Sequence, residues 1–548
     1  MSFNADIVKR AFGAIALLVF AAACTRTGTG SSETRHSWTQ AGVLRVDDWA
    51  NPNSLNPLLA SNTSDDFLAA LAFDMLVSVD DKGNEVPDLA AVVPTQANGG
   101  IAKDGLTVTY HLRKGVQWQD GAPFSSKDVK FTWQAIMNPN NNVVERRGYD
   151  EVKSVDTPDA NTVVFHLKEP FAPFVDTVFG ESDDSFRILP EHLLAKYPDI
   201  NHIPFNSQPI GTGPFKVVRW MRGDRVMYVA NDKYFMGKPK LSRITVRFVT
   251  EDNTREADLR SHAADLLNDI SFPLVRDLRT QPDVKVVLPA SPAYESIDLN
   301  TSRAPLNDIQ VRRSLAYGID AAGIMRDDTY GGADAATEDL SSNSWAYDPN
   351  VTTYPYDTAK AAQLLESDGW KAGPDGIRVK NGKRLELQLA YGQGNPTGQA
   401  IGAEVQSQLR KAGVDVSIKT YNYTIFYATQ QMGGILLGGK FDMAVYAWIS
   451  GADPDDSQQF MCRYVPPGGN NISLFCNRQF DAAEVAALKT FDRDARKRAY
   501  ATTQQLLAQN VPAVFLYYPR RRHATSIDMR GFTPNGITLD WNAWQWSI

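Results

Sequence analysis

Gly105-Leu-Thr-Val-Thr-Tyr-His-Leu-Arg-Lys-Gly-Val-Gln-Trp-Gln-Asp-Gly-Ala-Pro-Phe-Ser-Ser-Lys-Asp-Val-Lys-Phe-Thr-Trp133 is the stretch that decides the architecture. Over residues 106–112 apolar and other side chains alternate at the two-residue period of a half-buried strand. Gly115, Gly121 and Pro123 then break the chain, and Ser126 opens a helix with Asp128 in its first turn. Nothing in this strand, turn and helix forms a catalytic dyad.

Working outward, strands and helices continue to interleave. Periodicity predicts a strand at 43–46, a helix at 65–76, and a hairpin of 151–155 with 162–167 around Thr157-Pro158-Asp159. Ile210-Gly-Thr-Gly-Pro-Phe215 starts a meander with strands at 216–220, 225–230 and 243–249. In the second half Asn307 is placed to cap a helix, with Ile309, Val311, Leu315 and Ile319 as its inward positions. A helix at 356–365, strands at 384–391 and 414–420 around a helix at 398–411, and a strand at 441–448 follow. Helices near 480–488 and 494–509 precede a return strand at 512–518. This succession predicts α/β lobes with a mixed or parallel sheet.

The order Leu112-Arg, Gly115-Val-x-Trp-x-Asp-Gly-x-Pro-Phe124, then Asp128-Val-x-Phe131 resembles the signature of the family 5 extracytoplasmic solute-binding proteins. Those are the peptide and nickel binding subunits of ABC importers. Gly211-Thr-Gly-Pro-Phe215 and Asn231-Asp-Lys-Tyr-Phe-Met-Gly237 resemble the same family, as does the helix after Pro305, where Gln310 replaces a usual arginine. The resemblance implies a two-lobed periplasmic-binding-protein fold, type II-like, with an extra domain inserted in the first lobe. The expected division is a signal peptide at 1–24, a tether at 25–37, lobe I at 38–78, 206–290 and 515–548, its extra domain at 79–205, and lobe II at 291–514. It also implies hinge closure over a solute, and a permease and ATPases as partners.

The N-terminus points to the same compartment independently. Lys9 and Arg10 precede an apolar run, residues 11–23, which is short for a membrane span and suits a signal-peptide core. Ala21-Ala22-Ala23-Cys24 resembles a lipobox, although Ala21 stands where leucine is usual; cleavage after Ala23 without lipidation is the second reading. Acylation of Cys24 would leave Cys462 and Cys476 as a pair flanking a Pro- and Gly-containing loop, so a disulfide is expected there against two free thiols.

Composition sets broader limits. A chain of 548 residues exceeds one ordinary core, and 22% charged residues with a net charge of −7 describe a globular protein. No basic stripe suggests nucleic acid. The seven histidines show no metal-ligand spacing, and no nucleophile elbow, phosphate loop or dinucleotide fingerprint occurs. No catalytic residue, metal or cofactor is therefore assigned, and an extracellular hydrolase is the weaker class.

For binding, the informative segment is Gly439-Lys-Phe-Asp-Met-Ala-Val-Tyr-Ala-Trp-Ile-Ser-Gly-Ala-Asp-Pro-Asp-Asp456. Its strand runs into a glycine-containing loop, where open α/β sheets tend to bind ligands. Trp448, Ile449, Ser450, Gly451 and Ala452 are the leading cleft candidates, with Tyr446 either lining the cleft or filling core. Gln393, Asn395 and Tyr423 are candidates on lobe II, and Ser61, Asn62 and Thr63 on lobe I, where a helix N-cap is the plainer role. Arg520-Arg521-Arg522-His523 could face an anionic solute, with a solvated charge run the plainer reading.

The resemblance also bears on the solute. Peptide-binding relatives place an aspartate in the cleft loop for an α-ammonium group, and Ser450 takes that position here. Dipeptide binders can use an arginine after the strand that ends at Tyr391, where this chain has Gly392-Gln393-Gly394-Asn395. Without both charges, longer peptides held through their backbone are favoured over dipeptides. An oligosaccharide stacking on Tyr391, Tyr423, Tyr427 and Trp448 is the alternative. The expected protein is a monomer on the outer face of a membrane, lipid-anchored through Cys24.

Overall fold

A computed structural model describes residues 35–60, 62–182 and 186–548 of the chain. Of these, residues 35–39 belong to one unit and residues 40–548 to a second, compact one. In the first, the rings of His36 and Trp38 stack 4.3 Å apart.

Two large mixed sheets carry the architecture. The first orders its strands as Val284–Val287, His523–Ser526, Leu266–Leu267, Val43–Asp48, Arg243–Phe248, Arg225–Ala230 and Phe215–Met221. Val43–Asp48 runs parallel to both its neighbours, and the meander beyond it is antiparallel. The second sheet runs Ala333–Ala335, Ala513–Pro519, Ala293–Leu299, Met443–Ile449, Glu386–Gly392 and Asp415–Tyr421. Glu386–Gly392 and Asp415–Tyr421 pair in parallel across the helix Pro396–Lys411, a right setting for a strand, helix, strand unit. Each sheet has its own apolar core, and the protein is a two-lobed mixed α/β fold.

The chain leaves the first sheet after Asp48 and rejoins it at Phe215. Between these lies a three-stranded sheet of Thr107–His111, Thr162–Leu167 and Val152–Asp159, backed by the helix Ser126–Met137. On Thr107–His111 the alternation buries Val108 and Tyr110 fully. The helix starts after Ser125, whose N–H donates to the Asp128 carboxylate at 2.8 Å, fixing the first turn. These side chains pack in one continuous core with Leu44 and Val46 of the first sheet, so the added segment is welded to its lobe.

Four expectations need correction. The helix expected at 65–76 is Thr63–Ala70. It stops because the carbonyls of Leu71 and Ala72 accept from Phe215 and Gly213 N–H instead, at 2.9 Å each. A Cβ on Gly211 or Gly213 would meet the Ala72 backbone at 1.8 or 2.4 Å, which explains the glycines of the Gly-Thr-Gly-Pro-Phe motif. The strand Val152–Asp159 runs through Pro158 and turns only at Ala160 and Asn161; as an edge strand it tolerates the proline. Asp308, not Asn307, caps the helix Ile309–Gly318, its carboxylate accepting from Gln310 N–H at 2.9 Å. Finally, Ala513–Pro519 pairs within the second sheet, so the last crossing to the first sheet falls at residues 520–522 and not at 515.

Candidate functional site

The strand Met443–Ile449 buries both faces at first, Met443 and Val445 into one core and Ala444 and Tyr446 into another. Beyond Tyr446 it emerges: Ala447 is exposed, and Trp448 and Ile449 are half-buried. The loop that follows, residues 450–458, reaches the other lobe. Ala452 N–H donates to the Glu181 carbonyl at 3.2 Å, Arg147 pairs with Asp455 at 3.4 Å, and Gln458 donates to Glu145 at 3.4 Å. From behind, Arg496 holds Asp453 at 2.7 Å. The Ser450 hydroxyl donates to Asp456 at 2.9 Å and is buried.

One chamber lies at the strand end by Ile449 and another beside the loop. The smaller, about 50 Å³, is lined by Thr63, Asp66, Asp269, Ile449, Arg521 and Thr538 among others. Arg521 commits Nε and Nη2 to the carbonyls of Gly536 and Ile537. The Asp66 carboxylate makes no hydrogen bond among the described residues; burial raises it to about 6 against the pull of Arg187 and Arg521. For Asp269 burial would act the same way, but Arg522 and Arg521 overcome it and hold the carboxyl below its usual range. Burial holds His523 down to about 3, so its imidazole is neutral.

The larger chamber, about 420 Å³, lies between the added domain and the second lobe. Glu145, Arg147 and Glu151 face Asp455, Gln458 and Arg463 across it. The disulfide Cys462–Cys476 closes the loop that forms its outer wall. Its lining mixes both charges with amides, a surface for the polar backbone of a solute and its charged ends.

Of the residues singled out from sequence, Ile449 and Thr63 line the small chamber, and Ser450, Gly451 and Ala452 form the bridging loop. Trp448 packs between two cores with its indole N–H buried and without an acceptor among the described residues. Tyr446 is a core residue, 8% exposed. Asn62 and Asn395 are caps, accepting from Ser64 and Gly398 N–H respectively. Gln393, Asn395 and Tyr423 line neither chamber; Tyr423 is 63% exposed, with its ring 4.7 Å from that of Tyr427. Ser61 and Cys24 lie outside the described residues.

Sequence reading did not single out Asp66, Arg147 or Asp269, which line the chambers. The Arg520–His523 run was the available signal, and reading it as solvated is wrong. Arg520 pairs with Asp334 at 2.8 Å, Arg522 with Asp269 at 3.1 Å, and His523 is buried. Among the described residues no group of histidine, cysteine and acidic side chains is arranged to hold a metal ion, and no helix is long and apolar enough to cross a membrane.

Comparison with known proteins agrees with the two-lobed fold. The oligopeptide-binding protein AppA of Bacillus subtilis is 28% identical over 530 residues, 94% of each chain. The glutathione-binding protein GsiB of Salmonella typhimurium is 28% identical over 491 residues, 88% of this chain and 90% of that one. Among solved structures, NikZ from Campylobacter jejuni in complex with Ni(L-His) superposes with a TM-score of 0.79 at 28% identity, covering 93% of this chain and all of that one. AppA from Bacillus subtilis with a nonapeptide gives 0.77 at 26% identity, covering 92% and 98%. The family model of the bacterial extracellular solute-binding proteins, family 5, matches residues 86–471. The matched segment spans most of the chain, and the chain belongs to the family 5 solute-binding proteins of ABC importers.

Proposed function

We propose that this protein captures a peptide longer than a dipeptide between its lobes and presents the closed form to a membrane permease, without chemistry of its own. The observation that carries this reading is the larger chamber. Its volume of about 420 Å³ falls in the range of roughly 300–1,000 Å³ typical of small-molecule sites. Its walls come from both lobes, so it is complete only when they meet. The acids and guanidiniums that line it, with Gln458 between them, suit amide groups and a zwitterion's two ends better than an apolar or uniformly charged solute. Similarity to an oligopeptide-binding and a glutathione-binding protein supports a peptide-like ligand. A lipoprotein signal cleaved after Ala23 is proposed, leaving a monomeric mature chain that begins at Cys24 and is anchored outside the membrane through its acylation.

A thermal-shift screen of the mature chain, unfolded and refolded to strip retained solute, tests the assignment. At a hundredfold excess over its Kd, a ligand adds about 2.7 kcal/mol to the native state. Stabilisation by tetrapeptides and longer peptides, and not by dipeptides, is expected. Stabilisation by oligosaccharides alone would overturn the peptide reading.

A further inference from the structure

A third cavity, about 310 Å³, lies within the first lobe. Thr538 and Asp540 line both it and the small cleft chamber, so the two share a wall. Its own walls are aromatic and acidic. Tyr234 and Trp544 stand with ring centroids 5.7 Å apart, and Trp541 adjoins them. Four carboxylates line it, those of Asp74, Asp88, Glu181 and Asp540, against two guanidiniums, Arg113 and Arg187.

Asp74 and Glu181 are saturated. Asp74 accepts from the hydroxyls of Thr212 and Tyr234, and Glu181 from Val79 N–H, Asn535 and Thr538. Arg113 is committed to the carbonyls of Pro87 and Asp88. Three carboxylate oxygens are left: Oδ1 of Asp88 and both oxygens of Asp540 are buried with no hydrogen-bond partner among the described residues. Asp540 is only 4% exposed. Orphaned buried acceptors of this kind are costly unless something supplies the donors.

From this geometry we infer that the cavity is a specificity pocket for a cationic side chain, the ammonium of a lysine or the guanidinium of an arginine in the captured peptide. The aliphatic stem would lie against Trp541 and Trp544 and the charge would meet Asp540 and Asp88, an arrangement in which ring faces and carboxylates act together. The inference rests on the peptide reading of the cleft. Burial, opposed by Arg187, raises Asp540 to about 8, and burial with Asp74 raises Asp88 well above the ordinary range. Both acids are thus poised to ionise when a cation arrives.

The test is calorimetry with alanine tetrapeptides carrying one lysine, arginine or norleucine at each position in turn, on the wild type and on Asp540→Asn. At one position the basic peptides should bind about tenfold tighter than the norleucine peptide, the worth of one hydrogen bond to a charged group. Asp540→Asn should erase that preference, so that the basic and norleucine peptides bind the variant alike. Asp88→Asn serves as a second variant should Asp540→Asn fail to fold. Equal affinity in the wild type, or a preference retained in the variant, overturns the pocket while leaving peptide capture intact. If no peptide binds, peptide capture itself fails, and n-butylammonium then decides the pocket: it must stabilise the wild type more than Asp540→Asn, and equal effects refute it.

Discussion

Asp453 and Arg496 lie 2.7 Å apart with side chains 5% and 9% exposed, and this pair fixes the cleft loop from behind. Arg496 also donates to the Tyr500 hydroxyl at 2.9 Å and the Ala487 carbonyl at 3.1 Å. The helix Arg493–Asn510 therefore sets where residues 450–458 stand relative to the other lobe.

Breaking this pair one-sidedly should be expensive. We predict that Arg496→Met, which strands a buried Asp453, lowers stability by about 3–5 kcal/mol in urea denaturation. Replacing both with apolar residues of similar size should recover much of that loss and still weaken ligand binding, because the loop is no longer pinned. A loss below about 1 kcal/mol for Arg496→Met would show that the pair does not hold the loop.

The disulfide makes a separable contribution. Cys462 and Cys476 are 14 residues apart in sequence, and chain entropy for a loop of that length gives about 3 kcal/mol. The double serine variant should lose about that much, and reductant should destabilise the wild type to the same level without affecting the variant. A variant as stable as the wild type would place the stabilisation elsewhere.

Why the lobes were legible in sequence while the cleft charges were not has a physical basis. Strand and helix periods are local, so the elements around residues 105–133 could be read from a short window. The small chamber draws Asp66, Asp269, Arg521 and Thr538 from four distant segments, and no local spacing encodes that convergence. Arg520 to His523 shows the limit well. A run of three arginines and a histidine looks solvated until Asp334, Asp269 and two backbone carbonyls are brought to it by the crossing between sheets. Asn307 and Asp308 show another, since both can cap and only the backbone geometry chooses. Ser450 was legible as a loop residue, but its bond to Asp456 was not.

Contacts between the lobes should divide by burial. Lys489 and Glu169 pair at 2.6 Å with both side chains nearly half exposed, whereas Arg147 and Asp455 are 12% and 4% exposed. We predict that Lys489→Ala changes affinity and stability by less than about 1 kcal/mol. Arg147→Ala should weaken ligand binding by about 2 kcal/mol or more, mainly through faster release, because closure then buries Asp455 without its counter-ion, the Ser457 N–H being its remaining donor. Unfolding without ligand should change little, since the open form leaves both groups in water. Equal effects of the two variants on Kd would show that the lobes do not close over this ion pair.

Stability should also fall as pH rises, and one residue isolates the effect. Both carboxylate oxygens of Glu338 are buried without a partner among the described residues. Burial, then Asp339 and Asp348, raise it from an ordinary 4.5 to about 9. Between those values the folded chain keeps a proton that the unfolded chain has lost, so stability declines with pH through this window and levels off above it. His523, held down to about 3, acts oppositely, with stability falling only as pH drops below its ordinary 6.5. Glu338→Gln removes the first dependence and not the second. Urea denaturation at about pH 5 and about pH 8 should therefore show the variant gaining on the wild type at the higher pH. A gain that is the same at both values would mean that Glu338 is not held protonated in the fold.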